Sequence, residues 1–117
     1  MNSKMRRGRA GEDLAVDYLV KKGYRILDRN YRYGHGEIDI VAEDGSVLVF
    51  VEVKARRSKQ YGEPEDAITF RKRALLRRTA DGYIYEHNIE DKDCRFDVVA
   101  VDYEPRSPEI RHIENAF

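Results

Sequence analysis

Apolar positions recur along the chain with the two spacings that distinguish helices from strands. The pattern predicts a first helix over residues 11–22, which Gly23 would end because glycine is favoured just beyond a helix C-terminus. A second helical pattern is predicted to begin near Pro64 and to reach about Tyr85. The apolar positions with helical spacing in the first helix are Leu14, Ala15, Tyr18 and Leu19.

Strand patterns fill most of the remaining chain. Asp44 and Gly45 predict a tight hairpin turn, because Asp-Gly supplies the positive φ that such turns need. The run at 47–54 is almost entirely apolar, which is typical of a central strand buried on both faces. Predicted strands lie at residues 24–32, 37–42, 47–54, 95–102 and 110–113.

The order of these elements predicts the class of fold. The order is α-β-β-β-α-β-β, which indicates an α/β fold with a central mixed β-sheet flanked by helices. A chain of 117 residues fits one domain, so we assign residues 1–117 to a single domain. Residues 1–8 are predicted to be a basic tail that could be disordered.

Composition excludes several classes of protein. No apolar stretch approaches the roughly 18–20 residues of a membrane span. The basic N-terminus is not followed by the apolar region of a signal peptide. A single cysteine excludes an internal disulfide framework. We therefore expect a soluble, cytoplasmic protein that has no membrane partner.

Charge is balanced over the whole chain but is arranged in blocks. Residues 1–34 and 54–78 have net charges of +5 and +6, whereas residues 35–53 and 79–117 have net charges of −5 and −6. Two basic blocks thus flank a short acidic centre, which could be a carboxylate site with a basic rim for a metal and a polyanion. The alternative is that these blocks are solvated faces that balance each other.

The predicted hairpin concentrates acidic residues. With the turn at residues 44–45, paired residue numbers sum to 89, and Glu37 lies opposite Glu52. Because side chains alternate along a strand, four charged side chains are predicted to share one face of the hairpin. Like charges opposite each other destabilise a hairpin, so this cluster needs a chemical reason. The four are Glu37, Asp39, Glu52 and Lys54.

A divalent cation is one such reason. Mg²⁺ binds to one or two carboxylates together with water and substrate phosphates, and Mn²⁺ accepts the same ligands. Lys54 could then position the scissile phosphate or the attacking water. Glu12 borders the apolar stripe of the first helix and could add a fourth carboxylate. Its alternative role is to complement the helix dipole as an acid near the helix N-terminus.

The spacing of these residues is similar to that of a known family motif. Asp39, followed after twelve residues by Glu52-Val53-Lys54, resembles the Asp…Glu-x-Lys signature of the PD-(D/E)xK nuclease superfamily. The surrounding sequence is similar to the YraN-like family of uncharacterised small proteins, which resembles archaeal Holliday-junction resolvases in fold. Ile38 stands where the short superfamily motif has proline. The similar stretches are residues 8–15, 36–42, 50–56, 71–73, 96–101 and 112–117.

This resemblance implies a restriction-endonuclease-like core and a metal-dependent endonuclease that hydrolyses phosphodiester bonds. Branched or flapped DNA is the candidate substrate. The resemblance implies that Asp39 and Glu52 bind Mg²⁺ or Mn²⁺, with Glu12 nearby and the Val53 carbonyl as a further ligand. It also implies that Lys54 is the catalytic lysine.

Other polar residues are assigned around this centre. Glu37 and Lys72 are predicted supporting residues, Lys72 because family resemblance places a polar residue on the second core helix. His35 could contact a phosphate or could be an exposed loop histidine, and His87 and His112 are predicted to lie on the surface. Tyrosines that could stack on unpaired bases, or else pack in the core, are Tyr31, Tyr33 and Tyr61. Basic residues that could follow a phosphate backbone are Arg9, Arg56, Arg57, Lys59, Arg71 and Arg73.

These observations favour a nuclease that acts on DNA rather than RNA. One alternative is a non-catalytic nucleic-acid-binding module that keeps a nuclease fold. Another is a partner-binding protein in which the charge pattern drives docking or self-association. A homodimer would present two sites to a symmetric substrate, and the predicted strand at 110–113 is a candidate edge for pairing.

Overall fold

The structure is a computed structural model that describes residues 3–57, 68–103 and 107–117, with side chains from residue 9 onward. The order of elements is α-β-β-β-α-β-β, so the predicted α/β class is confirmed. The elements are α1 (Ser3–Lys21), β1 (Arg25–Tyr33), β2 (Gly36–Asp44), β3 (Val47–Arg56), α2 (Phe70–Glu86), β4 (Cys94–Asp102) and β5 (Glu109–Ile113).

The five strands form one mixed sheet in the order β1-β2-β3-β4-β5. β1, β2 and β3 are antiparallel neighbours, β3 and β4 are parallel, and β4 and β5 are antiparallel. A parallel pair needs a crossover connection, and α2 lies within it. The arrangement is consistent with a restriction-endonuclease-like core in which β3 is the central strand.

Each face of the sheet carries its own apolar core. On one face, Phe50 of β3 packs in a cluster with Leu76 of α2. On the other face, Val51 of β3 packs in a cluster with Leu19 of α1. Successive residues of β3 therefore point to opposite faces, as the continuous apolar run predicts. Burial of apolar surface, worth roughly 25 cal/mol per Å², holds one helix on each face.

α1 begins earlier than the apolar pattern predicts. The helix starts at Ser3, so residues 3–8 are helical, although the sequence pattern predicts a tail at 1–8. This segment is rich in arginine, lysine and methionine, which favour helix, and it contains no proline. α1 stops at Lys21, just before the glycine that was expected to end it.

α2 begins with a capped N-terminus. Thr69 is the N-cap residue, and its side chain accepts a hydrogen bond from the Lys72 N–H at 3.1 Å. The helix runs from Phe70 to Glu86, so it ends one residue beyond the predicted position. The predicted start near Pro64 lies outside the described residues.

The β2–β3 hairpin turns one residue later than predicted. Its two central residues are Gly45 and Ser46, and Gly45 has the positive φ, 60°, that suits this turn. Paired residue numbers consequently sum to 91 rather than 89. In a regular β-ladder, a shift of the pairing register by two residues leaves each side chain on its predicted face of the sheet. Continued along the strands, this register brings Asp39, rather than Glu37, opposite Glu52.

Candidate functional site

Asp39 lies where the regular pairing between β2 and β3 stops. The ladder ends at the pair formed by Ile40 and Val51. Beyond that pair, the Val53 N–H donates a hydrogen bond to Asp39 Oδ2 at 2.8 Å. A side-chain carboxylate thus serves this N–H in place of a backbone carbonyl. The contact fixes the carboxylate between the two strands.

The alternation of side chains along β2 is interrupted at Asp39. Ile38 belongs to the core on the α2 side and Ile40 to the core on the α1 side, although residues two apart in a regular strand share a face. Opposite Asp39 in β1, Asn30 has a φ of 54°, which is uncommon for a residue other than glycine. Such local irregularities concentrate at functional sites, so the position is a candidate site on backbone grounds as well.

Half-buried Asp39 and buried Glu52 form a carboxylate pair. Glu52 is only 7% exposed. Burial, followed by the hydrogen bond and the charge of neighbouring Glu52, raises the pKa of Asp39 to about 8. The Val53 N–H and the charge of Lys72 act in the opposite direction but do not outweigh these effects. Without an added cation, the pair therefore retains a proton at neutral pH.

Lys72 of α2 supplies a positive charge to this pair. Its Nζ lies 3.4 Å from Glu52 Oε2, which is close enough for an ion pair. Glu52 Oε2 is nevertheless buried and accepts no hydrogen bond from the part of the chain that the structure describes. A buried carboxylate oxygen without such a partner is costly, and a bound cation would satisfy it.

The position of α2 depends on close contact with β2 at Gly36. A Cβ added to Gly36 would lie 1.8 Å from Thr79 Oγ1. Thr79 is itself buried and donates its hydroxyl to the Leu75 carbonyl at 2.7 Å. This contact seats α2 on the sheet, and the helix then carries Lys72 to the carboxylate pair.

Asn30 connects two further acids on the α1 side. With its amide nitrogen facing them, Asn30 donates to Glu12 Oε1 at 3.0 Å and to Glu37 Oε1 at 3.1 Å. Burial raises the pKa of Glu12, and the charge of Asp39 adds to that shift. Sequence reasoning missed Asn30, for which the available signal is that asparagine tolerates a left-handed backbone.

The prediction that four charged side chains share one face of the hairpin is therefore wrong. Glu37 shares the amide of Asn30 with Glu12 of α1, whereas Glu52 pairs with Lys72 of α2. Asp39 lies between these two groups, because the irregularity in β2 interrupts the strict alternation on which the prediction rested.

Lys54 and Val53 lie beside the carboxylate pair on β3. Alternation along the strand directs Lys54 to the same face as Glu52. Lys54 is half-buried, and it forms no ion pair with any residue that the structure describes. The N–H of Val53 binds Asp39 Oδ2, so the backbone of β3 contacts the carboxylate pair directly.

His35 and the tyrosines are distributed differently. His35 is exposed in the turn between β1 and β2 and lines a groove of about 250 Å³ with Tyr33 and Arg78. Tyr31 is buried, and its hydroxyl donates to Glu86, which indicates a packing role. Tyr61 lies outside the described residues.

The predicted phosphate-binding residues also lie in different surroundings. Arg56 is largely buried, and its Nε donates to Asp102 Oδ1 at 2.9 Å, so this guanidinium is engaged within the fold. Arg73 is half-buried and donates from Nε to the Ile68 carbonyl at 3.1 Å. Lys59 lies outside the described residues. The exposed members of the set are Arg9, Arg57 and Arg71.

The donors at the carboxylate pair fit a hard divalent cation. Carboxylate oxygens are the ligands that Mg²⁺ and Mn²⁺ prefer, and the buried Glu52 oxygen lacks a hydrogen bond from the described residues. Within those residues, no group of three or more His, Cys, Asp or Glu side chains is arranged to hold a metal. Two carboxylates suit a cation that completes its shell with water and substrate phosphates.

Comparison with known proteins decides the family. The model of a family described as "Uncharacterised protein family UPF0102" matches residues 11–101. The chain belongs to the UPF0102 family. The matched segment of this UPF0102 chain contains both acids of the carboxylate pair, together with Glu12, Lys54 and Lys72.

Similar UPF0102 proteins cover nearly the full length of this chain. The one from Chlorobium chlorochromatii is 48% identical over 122 residues, which is 99% of this chain and 94% of that protein. The one from Symbiobacterium thermophilum is 49% identical over 111 residues, or 94% of each chain. The one from Alkaliphilus oremlandii is 46% identical over 119 residues and covers 100% of both chains. In the described parts of this UPF0102 chain, no helix is long and apolar enough to cross a membrane.

A second buried polar cluster was not predicted from the sequence. Asp97 Oδ2 lies 2.7 Å from His112 Nε2, and Arg95 donates to both oxygens of the same carboxylate. The Asn115 N–H donates to Asp97 Oδ1 at 3.0 Å, and His112 Nδ1 lies 2.9 Å from Lys22 Nζ. Burial alone would raise the pKa of Asp97, but these hydrogen bonds outweigh burial and lower it.

The prediction of a surface position is therefore wrong for His112. Its side chain is only 1% exposed, because β5 carries the ring inward to the Asp97 carboxylate. His87, by contrast, is exposed just after α2, as predicted.

Proposed function

We propose that this chain is a metal-dependent endonuclease that hydrolyses phosphodiester bonds in DNA. The observation that carries the proposal is the Asp39–Glu52 pair, with a buried Glu52 oxygen that accepts no hydrogen bond from the described residues. Stability does not explain this pair, because adjacent buried carboxylates destabilise a fold. A divalent cation would neutralise both groups. The resemblance to the PD-(D/E)xK superfamily supports the same interpretation.

The acids divide into ligands and supporting groups. Asp39 and Glu52 would hold Mg²⁺ or Mn²⁺, with the Val53 carbonyl as a further ligand and Glu12 acting directly or through water. When bound, the cation supplies Lewis acidity toward the phosphoryl oxygens and lowers the pKa of bound water. Asn30 holds Glu12 in position by a hydrogen bond that Glu37 shares.

Two lysines act from different elements. Lys54 lies on the same face of β3 as Glu52, which supports a role in which its ammonium group would orient the attacking water and stabilise charge on the phosphate. Lys72 forms an ion pair with Glu52, and its positive charge lowers the pKa of Asp39. We assign Lys54 as the catalytic lysine and Lys72 as a positioning residue.

The surroundings of the site suggest how the nucleic acid is held. The exposed arginines Arg9, Arg57 and Arg71 would neutralise phosphates along the backbone. The family resemblance favours DNA over RNA as the substrate. The chain would act in the cytoplasm. β5 is an edge strand of the sheet, so a homodimer that pairs through it would present two sites to one substrate.

The test is Mn²⁺-dependent cleavage of flapped and four-way-branched DNA by purified variants. Asp39→Asn and Glu52→Gln should each lower the cleavage rate by about 100-fold or more, because each removes a charge that holds the cation. The matched control is Glu90→Gln, which alters an exposed acid in the loop before β4 and should keep the wild-type rate. Cleavage at the wild-type rate by the Asp39→Asn/Glu52→Gln double variant would falsify the proposal.

A non-catalytic nucleic-acid-binding module is the second candidate. The observation that favours it is that the described residues hold no group of three potential metal ligands. On this alternative, the chain would bind DNA with a steep dependence on salt but would not cut it in any divalent cation. Binding with a steep salt dependence and no cleavage of either substrate in Mg²⁺ or Mn²⁺ would favour the module over the enzyme.

A further inference from the structure

A groove near the carboxylate pair combines exposed aromatic surface with arginines. It has a volume of about 230 Å³ and lies between α2 and the last residues of the chain. Single exposed apolar residues are common on proteins. Phe70, however, is 88% exposed and lies at the edge of a basic groove rather than in isolation. The groove is lined by Phe70, Arg73, Ala74, Arg77 and Phe117.

Two arginines of this groove are stacked on an aromatic ring. The guanidinium carbons of Arg73 and Arg77 lie 5.7 and 6.0 Å from the centroid of the Phe117 ring. Arg73 Nε also donates to the Ile68 carbonyl, whereas Arg77 is exposed, so Arg77 is the arginine that we assign to an anion. Two of the five residues that line the groove are arginines and none of the five is acidic, so the lining carries positive charge.

Phe117 connects this groove to the carboxylate pair. The same ring lines a small apolar recess whose other members include Glu52, Leu76 and Phe96. A molecule in the groove would therefore lie next to the recess that Glu52 borders. The Phe117 side chain thus lines both the groove and the recess.

We infer that this groove binds an unpaired segment of the nucleic acid, with one base stacked on Phe70 and a neighbouring phosphate on Arg77. Aromatic platforms beside a basic track are the usual features of sites for single strands. The inference rests on the proposed function and adds a substrate class to it. The enzyme would act where an unpaired strand lies next to the scissile bond.

Other polyanions would use this groove less completely. A duplex keeps its bases stacked on one another, so it could contact the arginines but would leave Phe70 unused. An acidic peptide would pair its carboxylates with the arginines, and those carboxylates would gain nothing from the exposed ring. The groove volume is below the roughly 300–1,000 Å³ of sites for drug-sized ligands, which suits one planar base.

The experiment compares single-stranded and duplex DNA of the same 20-nucleotide sequence by fluorescence anisotropy, in EDTA so that no strand is cut. Phe70→Ala should weaken binding of the single strand by about 5- to 100-fold, the effect of losing one stacked base. It should change duplex binding by less than about twofold. The matched control is Tyr85→Ala, which removes a ring that is 77% exposed on the same helix and should change neither affinity.

A second variant tests the phosphate contacts. Arg77→Ala should weaken the binding of both forms, and it should lower the slope of log K against log salt for the single strand by about 0.7 per lost contact. An unchanged slope would overturn this part of the inference. Equal affinities of wild type and Phe70→Ala for the single strand would overturn the base-stacking role, and so would an equal loss on both forms of DNA.

Cleavage by the same preparations separates this inference from the proposed function. Asp39→Asn should bind the single strand through Phe70 but should not cut the flapped substrate. If the wild type binds through Phe70 and its cleavage does not depend on Asp39, the inference stands and the proposed function fails. If cleavage depends on Asp39 but Phe70→Ala binds the single strand as the wild type does, the function stands and the inference fails.

Discussion

Asp39 is at once a backbone partner and a titrating group. Its carboxylate accepts the Val53 N–H, and this contact joins β2 to β3 beyond the last regular pair. Burial and the neighbouring Glu52 raise the pKa of the same carboxylate. The residue that secures the strands therefore makes the metal-free protein sensitive to pH.

Without a cation, the stability of the wild type should fall as the pH rises. Folding raises the pKa of Asp39 from 3.8 to about 8, so its contribution is fully present below pH 3.8 and is lost as the pH rises through 8. Asp39→Asn has no such proton to lose. It should therefore be about 2–5 kcal/mol more stable than the wild type at pH 9 and nearly equal at pH 4, since one pKa unit corresponds to about 1.4 kcal/mol.

Urea unfolding in EDTA between pH 4 and pH 9 measures this difference. Asp93→Asn, at an exposed acid before β4, serves as the control and should follow the wild type at every pH. A stability difference between wild type and Asp39→Asn that does not change with pH would show that the pair is not strained by charge.

At the scale of single residues, the sequence identified the candidate acids but not the neighbouring residues that position them. Asp39, Glu52 and Lys54 were identified because charged residues in an apolar hairpin are conspicuous and match a known spacing. Asn30 was not identified, because its role depends on a left-handed backbone opposite Asp39 that no periodicity reveals. Phe70 was missed because its exposure depends on how α2 sits on the sheet.

Among the elements, α2 links the apolar core to the carboxylate pair. Its buried face packs on the sheet through Leu76 and Tyr83, and its first turn carries Lys72 to Glu52. The close contact at Gly36 sets how near the helix can lie. The geometry of the site is therefore sensitive to a residue that has no polar side chain.

Gly36→Ala should destabilise the fold by about 1–3 kcal/mol, the usual cost of overpacking. The reason is that the new Cβ would lie 1.8 Å from Thr79 Oγ1. Thr79→Ala removes this oxygen and leaves the Thr79 Cβ 3.1 Å away, so the double variant should recover part of the loss. Urea unfolding of both single variants and the double variant measures the coupling. Strict additivity of the two effects would contradict a direct clash between these side chains.

Periodicity predicted the order of elements because each helix and strand buries a distinct apolar pattern. It misplaced the hairpin register because Asp44-Gly45 and Gly45-Ser46 are both acceptable two-residue turns, and a slip of two residues leaves the apolar faces unchanged. It placed the start of α1 too late because residues 3–8 precede the amphipathic part of the helix.

Over the whole molecule, the polar cluster around Asp97 joins the last strand to the first helix. Asp97 lies on β4, His112 on β5, and Lys22 just beyond α1. These residues are far apart in sequence, so no local pattern could reveal the cluster. Its fully buried acid is supported by Arg95 and by the backbone of Asn115.

Asp97→Asn should destabilise the protein by about 2–4 kcal/mol at pH 7, because it leaves buried donors around Asp97 without their charged partner. Folding lowers the pKa of Asp97, so its stabilising contribution is present above the ordinary aspartate pKa and is lost as the pH falls through the folded-state pKa. The difference from wild type should therefore shrink in acid, which is opposite in direction to the Asp39 effect. Urea unfolding of both proteins at pH 7 and pH 3 measures this stability difference. A difference that grows in acid would contradict a lowered pKa for Asp97.

The most direct test of the proposed metal site is calorimetric titration of Mn²⁺ into wild type and Asp39→Asn, alone and with a non-cleavable flapped DNA. We predict saturable binding to the wild type, strengthened by the DNA because substrate phosphates complete the coordination shell. The signal should disappear in Asp39→Asn and persist in Asp93→Asn. Equal binding by wild type and Asp39→Asn, or no saturable binding to the wild type even with DNA present, would contradict a metal site at the Asp39–Glu52 pair.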